Sequence, residues 1–430
     1  MREDKTEVLI VGAGPVGLLT AVILADSGIN VRIIDREERT ATRSYACALH
    51  PRTLELLQKV GVVETLLEQG RRIQTVAFYD GETRRAELDL NRLTGDFPFL
   101  LILPQSALEK ALEQRLYQAG RLSVHWNYRF DHLQADEDDV LAMLERLGGT
   151  ATGYIVPHWE TVVMRRFGIR TQFVVGADGQ NSLVRRRLGI EYERLSGPQS
   201  FAVVEFSSDR EAENELRIVL DDSTTNVLWP LPGKKQRWTI QLTHSEAPHE
   251  FPEKLRGTSY PGGADEDMRR WLQSVTFRRA PWFLSGIKEI AWCTQVAFEH
   301  RLAEEFGRGR CWLVGDAAHQ TGPAGVQSMN LGLCEAELLA VKIRSILRED
   351  APLDVLHHYN QASQAEWRQL FGLDSVPSVG PEANPWVRNR WDRLLPCIPA
   401  SDGDLALLLD HLSVKPVQRR NDLAPTHNEQ

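Results

Sequence analysis

The chain has 430 residues, of which 42% are hydrophobic and 25% charged, a composition typical of a globular protein with two or three domains. Its formal net charge of −9 argues against a general nucleic-acid binder, which would carry a basic surface. No apolar run reaches the ~18 residues that a membrane span needs, and the five scattered cysteines form no CxxC pair. We therefore expect a cytoplasmic protein without a membrane span, a metal site or a nucleic-acid partner.

The first strand, helix and second strand carry the most informative pattern. The apolar run "EVLIV" predicts a buried parallel strand, and Gly12, Gly14 and Gly17 then form a GxGxxG motif that opens a helix. The first glycine permits a tight turn, the second lets the backbone approach a pyrophosphate, and the third brings the helix close to the sheet. A second apolar run ends at Asp35, an acid placed to bind a ribose. This order predicts dinucleotide binding but does not separate NAD from FAD.

Two later segments repeat the arrangement of an apolar strand, a short acidic turn and a helix. Asp178 ends the strand in "VVGADGQNSLVR", and Asp316 ends the strand in "LVGDAAHQTGP". Taken alone, the first segment is equally well explained as an Asp–Gly turn with an N-cap at Ser182. Because the carboxyl ends of parallel strands meet at one edge of a sheet, three such segments favour one extended ligand lying across that edge.

Together the three motifs resemble those of the group A flavoprotein monooxygenases, the p-hydroxybenzoate hydroxylase-like aromatic hydroxylases. The resemblance runs to about residue 345 and includes "RSYACALHPRTLELLQKVG" (43–61) and "LPQSALEKAL" (103–112). It implies an α/β fold in which a Rossmann-like FAD-binding domain, with a parallel sheet and the GxGxxG loop, is interleaved with a β-sheet substrate domain. A helical C-terminal region would follow. The implied cofactor is FAD, with NADPH or NADH as co-substrate.

The resemblance also implies which residues contact FAD. The three glycines of the first loop would bind the pyrophosphate, and Asp35 with its neighbour Arg36 would bind the adenosine end. Arg43 and Gln105 would contact the diphosphate and ribityl region. The backbone of Val124 would reach the adenine.

The later acids and the loop after them would surround the flavin. Asp178 would serve FAD and the passing nicotinamide nucleotide, and Asp316 would bind the ribityl and phosphate portion. Pro323 and Gly325 would keep side chains away from the flavin ring. Backbone N–H groups up to Asn330, with the dipole of the following helix, would stabilise negative charge on the reduced flavin. We assign no catalytic group beyond Pro323 and this loop backbone.

This loop departs from the pattern of the family. The family usually has a second proline and a GGQG run, whereas this chain has Gly322 and then "GVQS". Val326 and Ser328 would narrow the space in which the flavin moves or oxygen enters. We therefore expect ring mobility and reduction by NAD(P)H to differ from those of the family.

Several other residues have both a structural and a functional interpretation. We interpret His319 as a structural histidine rather than a proton relay, and Arg185–Arg187 as a solvated helix face rather than a site for a 2′-phosphate. Trp229, Trp238 and Trp292 fall in segments of strand character. Their structural interpretation is sheet core, and their functional interpretation is a platform for a flat apolar substrate.

The segments between the motifs define the predicted domains. Strand patterns turn at Asp80-Gly81 and at Pro232-Gly233, residues 151–170 show no regular pattern, and the chain after residue 346 looks helical with proline breaks. The predicted division is an FAD-binding domain of 1–74, 100–190 and 300–345, a β-rich substrate domain of 75–99 and 191–299, a helical C-terminal region of 346–415 and a disordered tail of 416–430.

The motifs and the resemblance predict an FAD-dependent monooxygenase. Reduced by NAD(P)H, its flavin would form a C4a-hydroperoxide with O2 and transfer one oxygen atom to an aromatic or polyketide-like small molecule. Val326 and Ser328 favour an alternative, a related flavin-dependent oxidase or reductase that inserts no oxygen. A non-catalytic flavin-binding redox sensor is a third class. The expected partners are the small-molecule substrate and O2, with a homodimer as a possible assembly.

Overall fold

The computed structural model describes residues 4–39, 46–152, 158–243, 246, 266–284 and 286–418. In chain order its strands are β1 (Asp4–Val11), β2 (Val31–Asp35), β3 (Ala48–Leu49), β4 (Arg71–Ile73), β5 (Thr75–Asp80), β6 (Thr83–Asp89), β7 (Leu100–Ile102), β8 (His125–Trp126), β9 (Tyr128–Ala135), β10 (Val140–Thr152), β11 (His158–Gly176), β12 (Tyr192–Arg194), β13 (Gln199–Ser208), β14 (Glu215–Leu220), β15 (Thr225–Pro230), β16 (Lys235–Leu242), β17 (Ile287–Phe298), β18 (Arg301–Ala303), β19 (Gly307–Arg308), β20 (Cys311–Leu313), β21 (His319–Gln320), β22 (Ser375–Val379) and β23 (Val414–Gln418). The helices are α1 (Pro15–Asp26), α2 (Pro51–Lys59), α3 (Val63–Gln69), α4 (Gln105–Gly120), α5 (Leu183–Arg187), α6 (Glu266–Arg279), α7 (Gln327–Glu349), α8 (Val355–Leu370), α9 (Pro385–Asn389), α10 (Trp391–Leu394) and α11 (Asp402–His411). None of the helices in these ranges is long and apolar enough to cross a membrane.

Eight strands form the first sheet, in which β20, β11, β1, β2 and β8 are neighbours and run parallel. Val8, Leu9 and Ile10 of β1 are fully buried, as expected of an apolar strand that is covered on both faces. Helix α1 packs against α4 and α7. Because the strands are parallel, β1, β2, β11 and β20 all end at the same edge. The predicted strand–glycine–helix–strand unit and the α/β fold class are confirmed.

The segment 151–170, which shows no regular pattern in the sequence, belongs where described to a long antiparallel hairpin of β10 and β11. The first part of β11 pairs with β10, and its last part pairs in parallel with β1. Glu145 of β10 is buried and accepts hydrogen bonds from Arg129 at 2.9 Å and from Arg166 at 2.8 Å. Within the segment itself, the adjacent Arg165 and Arg166 interrupt the two-residue period that predicts a half-buried strand.

Seven strands form the second sheet, in the order β17-β13-β16-β15-β14-β5-β6. They come from the two segments predicted to form the substrate domain, although the domain boundaries themselves stay a prediction. The predicted turn at Pro232-Gly233 is confirmed, because β15 and β16 pair antiparallel around it and Gly233 has a φ of 72°. Helix α6 covers the outer face, where Trp238 packs edge-on against Phe283. Trp229 is buried in the core shared with the first sheet.

The C-terminal region contains the predicted helices and also a two-stranded sheet of β22 and β23. The sequence predicts a disordered tail from residue 416, whereas β23 extends through Gln418, which corrects this boundary. Pro377 and Pro416 face each other in this sheet, and proline is a residue that argues against a strand in sequence analysis. Residues 419–430 lie outside the described part of the chain.

The C-terminal region is docked on the second sheet by several side chains. Arg393 of α10 donates hydrogen bonds to the carbonyl oxygens of Asp221 and Thr224. The indole N–H of Trp386 in α9 donates to the carboxylate of Asp80 at 2.9 Å. This region is therefore attached to the end of β5 and to the turn between β14 and β15.

Candidate cofactor and active site

The loop between β1 and α1 depends on glycine at two of its three motif positions for its own packing. Gly12 has a φ of 106°, and a Cβ atom there would lie 2.2 Å from the carbonyl oxygen of Ala177. A Cβ atom at Gly17 would lie 2.0 Å from the carbonyl oxygen of Gly12. Gly14 differs from both, because its Cβ atom would meet no neighbouring atom of the described chain within 4 Å. The backbone at Gly14 therefore faces space that a ligand can occupy.

The start of α1 lacks the side chains that usually satisfy a helix N-terminus. Gly14 is the N-cap, Pro15 is the first residue, and the first turn contains no acidic residue. The N–H groups of this turn lie at the carboxyl edge of the sheet, where they can bind an anion such as a pyrophosphate. Asp35 at the end of β2 accepts a hydrogen bond from the N–H of Ala13 at 2.7 Å. This bond fixes the loop from its other side.

A first cavity, of about 240 Å³, lies between the ends of β1, β2 and β11. Asp35, Arg36, Phe130 and Asp178 are among the residues that line it. The cavity thus brings together the acids that end two of the predicted strand–turn motifs. Gly12 also lines this cavity, so the cavity begins at the glycine loop.

Asp178, which lines this cavity, has one buried carboxylate oxygen that the described residues leave unsatisfied. Its Oδ2 accepts a hydrogen bond from the N–H of Leu183, at the start of α5, at 2.7 Å. Its Oδ1 is buried and has no hydrogen-bond partner among the described residues, and burial raises the pKa of the carboxyl group. A buried acceptor without a partner in the protein is a place where a ligand hydroxyl can donate.

A second cavity, also of about 240 Å³, lies beyond the end of β20. Gln105, Phe298, Asp316 and Pro323 are among the residues that line it. The carboxylate of Asp316 is open to this cavity, although the dense protein around its turn raises its pKa. The charge of the nearby His319 acts in the opposite direction and lowers that pKa.

The loop after Asp316 carries two side chains where the family has glycine. Val326 is the N-cap of α7 and has a φ of 51°, a left-handed conformation that is costly for a β-branched residue. Ser328 accepts a hydrogen bond at its Oγ from the N–H of Thr321 at 2.9 Å, which closes the loop on itself. Both side chains line the second cavity, where they take up space that glycine would leave open.

Gly325 and Asn330 lie behind this loop and do not line the second cavity. Asn330 accepts a hydrogen bond from the N–H of His50 at 2.8 Å and donates one to the carbonyl oxygen of Ala48 at 3.0 Å. Burial lowers the pKa of His50 to about 4, so its neutral ring donates from Nε2 to the carbonyl oxygen of Gly325 at 2.9 Å. Both residues hold the shape of the loop, and their direct contact with a cofactor stays a prediction.

Arg185 is buried, which corrects its interpretation as part of a solvated helix face, whereas Arg186 and Arg187 are exposed as that interpretation expects. Its guanidinium donates to the carbonyl oxygens of Ala317 at 2.6 Å and Gln180 at 2.9 Å. The same group lies 3.7 Å from the ring centroid of Tyr192. Arg185 therefore joins the turn of Asp178 to the turn of Asp316. The sequence contains no signal that separates it from the two arginines that follow.

The remaining predicted residues have different positions. His319 is fully buried and lies 2.8 Å from Glu335, which confirms its structural interpretation. Val124 is buried directly before β8 and does not line the first cavity, so its backbone contact with adenine stays a prediction. Arg43 lies outside the described residues. In the part of the chain that the structure describes, no cluster of His, Cys, Asp and Glu side chains could hold a metal ion.

Fold and site together define a dinucleotide-binding α/β protein with two cavities along one edge of its parallel sheet. Residues 5–371 match the family described as FAD binding domain, so the chain belongs to this family. The match confirms the predicted FAD-binding fold, FAD as the cofactor and the relationship to the flavoprotein monooxygenases.

Known relatives are enzymes of aromatic and polyketide chemistry. The chain is 31% identical over 364 residues to 6-methylpretetramide 4-monooxygenase of Streptomyces rimosus, which covers 83% of this chain and 58% of that protein. It is 29% identical over 383 residues to pentachlorophenol 4-monooxygenase of Sphingobium chlorophenolicum. This alignment covers 84% of this chain and 62% of that protein. The chain thus spans about three fifths of the length of these relatives. The crystal structure of p-nitrophenol 4-monooxygenase from Pseudomonas putida DLL-E4 has a similar fold, with a TM-score of 0.73, 21% identity and coverage of 95% and 97%.

The residues at the two cavities fit FAD. The open backbone at Gly14 and the uncapped start of α1 suit the pyrophosphate. The unpartnered Oδ1 of Asp178 and the exposed carboxylate of Asp316 suit the hydroxyl groups of the sugar and ribityl portions. Asp35 and Arg36 line the first cavity and would hold the adenosine end.

Gly14→Ala separates ligand binding from folding. We expect this variant to have an unchanged free energy of unfolding, since its new methyl group meets no neighbour. We expect it to bind FAD at least about tenfold more weakly, because the methyl group occupies the space of the ligand. FAD affinity is measured by fluorescence quenching. Gly120→Ala, at the end of α4, is the control that should bind FAD normally. Equal FAD affinity of both variants would contradict the proposed pyrophosphate position.

The buried side chain of Glu109 predicts that the free energy of unfolding depends on pH. It is buried beside Gln105, and burial raises its pKa from 4.5 to about 7. The unfolded chain therefore releases this proton at lower pH than the folded protein, so stability falls as the pH rises from about 4.5 to about 7. Glu109→Gln should remove this loss and add on the order of 3 kcal/mol to the free energy of unfolding above this window.

Urea unfolding measures the effect of Glu109→Gln at about pH 5, near the lower end of this window, and at about pH 8, above its upper end. Glu113→Gln, one turn later on α4 and only half-buried, is the matched control and should show no comparable gain. If Glu109→Gln stabilises the protein equally at both pH values, the loss of stability does not arise from Glu109.

Proposed function

We propose that the protein is an FAD-dependent monooxygenase that uses NADPH or NADH and O2 to oxygenate an aromatic or polyketide-like small molecule. The named activities of the relatives support the reaction class and the substrate class. Bound FAD would supply the electron transfer and the activation of dioxygen, and the protein would bind, orient and shield the reactants. A cytoplasmic location and a homodimer are part of the proposal.

The observation that carries the proposal is the composition of the second cavity. Phe298 at the end of β17 in the second sheet lines the same cavity as Asp316 and Pro323 of the first. Met329, in the first turn of α7, adds a second apolar side chain. A cavity that combines an FAD-facing acid with apolar groups of another sheet suits a flat, largely apolar substrate held beside a flavin.

The N-terminus of α7 makes this end of the cavity favourable for negative charge. The first turn has no acidic residue and no side-chain cap, so its N–H groups and the helix dipole favour negative charge at this end. The N–H of Thr321 does not take part, because it already donates to Ser328. The donors that remain lie next to the place where a reduced flavin would carry negative charge.

A third cavity, of about 580 Å³, supports the use of a nicotinamide nucleotide. It shares Gln320 with the second cavity, and Arg186 and Arg301 are among the residues that line it. Their guanidinium groups suit the phosphates of NADPH or NADH. Gln320 donates to Gln180 at 2.8 Å, at the boundary between the two cavities. A nucleotide bound here would extend its ring toward the flavin.

The closed loop favours a second candidate, a flavin-dependent oxidase or reductase that inserts no oxygen. The hydrogen bond between Thr321 and Ser328 restricts the mouth of the second cavity. A flavin held still by this loop would react with its reductant and with oxygen differently from a mobile one. A non-catalytic redox sensor stays the third class.

Labelled dioxygen separates these functions. Protein loaded with FAD, given NADPH, ¹⁸O2 and a series of phenols and polyketide-like aromatics, should consume NADPH faster with a substrate present and place one labelled atom in its product. An oxidase would leave the product unlabelled. A reductase would consume NADPH in the absence of oxygen with a reduced product. A sensor would show no turnover with any compound.

Ser328→Ala tests the effect of the closed loop on flavin reduction. Removing one hydrogen bond, worth roughly 1 kcal/mol, should speed the anaerobic bleaching of the flavin by NADPH by about fivefold. Stopped-flow absorbance measures this rate. Ser345→Ala, on the same helix, removes a hydroxyl that donates to the carbonyl oxygen of Lys342, and it should leave the rate unchanged. A Ser328→Ala rate equal to that of wild type would show that the loop does not limit reduction.

A further inference from the structure

A buried acid lies behind the turn of Asp316. Glu335 of α7 is 4% exposed and accepts three hydrogen bonds, from the N–H of Gly315 at 3.0 Å, from Nε2 of His319 at 2.8 Å and from the indole N–H of Trp367 at 2.7 Å. A carboxylate in the protein interior is costly unless such donors satisfy it. The three donors that converge on Glu335 therefore indicate a specific arrangement that satisfies this buried carboxylate.

Two of these donors lie on either side of Asp316. Gly315 directly precedes it, and His319 follows it by three residues. Glu335 thus holds both flanks of the turn whose carboxylate opens to the second cavity. It does not line that cavity itself.

Helix α7 packs closely against the turn of Asp316 near Glu335. A Cβ atom at Gly332, one turn earlier on α7, would lie 2.9 Å from the Cα atom of Gly315. The glycine at this position lets the helix approach the turn closely enough for Glu335 to reach it. Gly315 itself has a φ of 61°, a left-handed conformation that glycine adopts without strain and that places its N–H where Glu335 can accept from it.

Helix α8 supports the same arrangement from the far side. The rings of His319 and Trp367 are stacked with their centroids 3.9 Å apart, which fixes the imidazole plane. The hydroxyl of Tyr359 donates to the carbonyl oxygen of Leu313 at 2.6 Å, just before the turn. The turn therefore lies between two helices, and Glu335 is the group that bonds to residues of both the turn and α8.

We propose that Glu335 is a positioning residue for FAD, which orients the carboxylate of Asp316 toward the cofactor by holding both flanks of its turn. The inference rests on the proposed use of FAD at this site. It assigns a role in cofactor binding to a side chain that lines neither of the two cavities proposed for FAD.

Glu335→Gln is the variant that tests this role. Glutamine has one acceptor oxygen and an amide N–H2 group in place of the second oxygen, so it cannot accept from all three donors. We expect FAD to bind about tenfold more weakly and its visible absorption band to shift, since Asp316 would lose its fixed orientation. Glu337→Gln is the matched control, because Glu337 lies on the same helix and forms a surface ion pair with Lys59. It should leave both the affinity and the spectrum unchanged.

A double-mutant cycle with Asp316→Asn shows whether Glu335 acts through Asp316. If it does, Glu335→Gln should cost less than about threefold in FAD affinity once Asp316 has been replaced, compared with about tenfold in the wild-type background. A general structural role would weaken FAD binding by the same factor in both backgrounds. Equal factors, or an affinity of Glu335→Gln equal to that of Glu337→Gln, would overturn the proposal.

Trp367→Phe decides the question if Glu335→Gln does not fold. It keeps an aromatic ring against His319 and removes only the indole donor to Glu335. We expect a loss of about threefold in FAD affinity that disappears in the Asp316→Asn background, whereas persistence of the loss would contradict the proposal. All these measurements use FAD alone, without NADPH, oxygen or substrate. They therefore stand even if no oxygenated product is found, and only a wild-type protein that does not bind FAD would remove both proposals.

Discussion

The cofactor site depends on a close backbone contact between Gly12 and the carbonyl group of Ala177. This contact is continued by hydrogen bonds between neighbouring strand ends, from the N–H of Ala177 to the carbonyl oxygen of Val11 at 2.8 Å and from the N–H of Val314 to that of Gly176 at 3.0 Å. The loops after β1, β11 and β20 are therefore joined through their backbones. Because these bonds do not depend on side chains, the acids that follow the strands keep a fixed spacing along the sheet edge.

The loop of the second cavity is held in a different way, by side chains at the start of α7 and by the backbone of the C-terminal region. The strained backbone at Val326 is stabilised by the Nδ2 of Asn330, which donates to the carbonyl oxygen of Val326 at 2.8 Å. Gln327 donates to the carbonyl oxygen of Ile398 at 3.1 Å. A Cβ atom at Gly325 would lie 2.5 Å from the carbonyl oxygen of Pro396. The C-terminal region, which also docks on the second sheet, thus determines the shape of the loop and links it to the substrate side.

The sequence predicts the parts of the site that local patterns encode. Gly12, Asp178 and Asp316 follow directly from strand, turn and helix signals within a few residues of each. The roles of Arg185 and Glu335 could not be predicted in this way, since their burial depends on partners that other elements supply. The same reason explains the unpredicted β-structure: charged residues in the β10–β11 hairpin and prolines in β22 and β23 interrupt the patterns by which strands are recognised.

The placement of charge in the proposed cofactor site would favour one orientation of FAD. The pyrophosphate would meet the N–H groups of α1, while the acids lie where the cofactor carries hydroxyl groups. Burial raises the pKa of Asp178, and it raises that of Glu109 to about 7, while the dense protein around its turn raises the pKa of the exposed Asp316. This edge therefore repels an anionic cofactor less than its number of acids suggests. With the adenosine end at Asp35 and the ribityl portion at Asp316, the flavin ring would lie beside the second sheet. The order of the strands, rather than any single contact, would therefore bring the reactive end of FAD to the cavity proposed for the substrate.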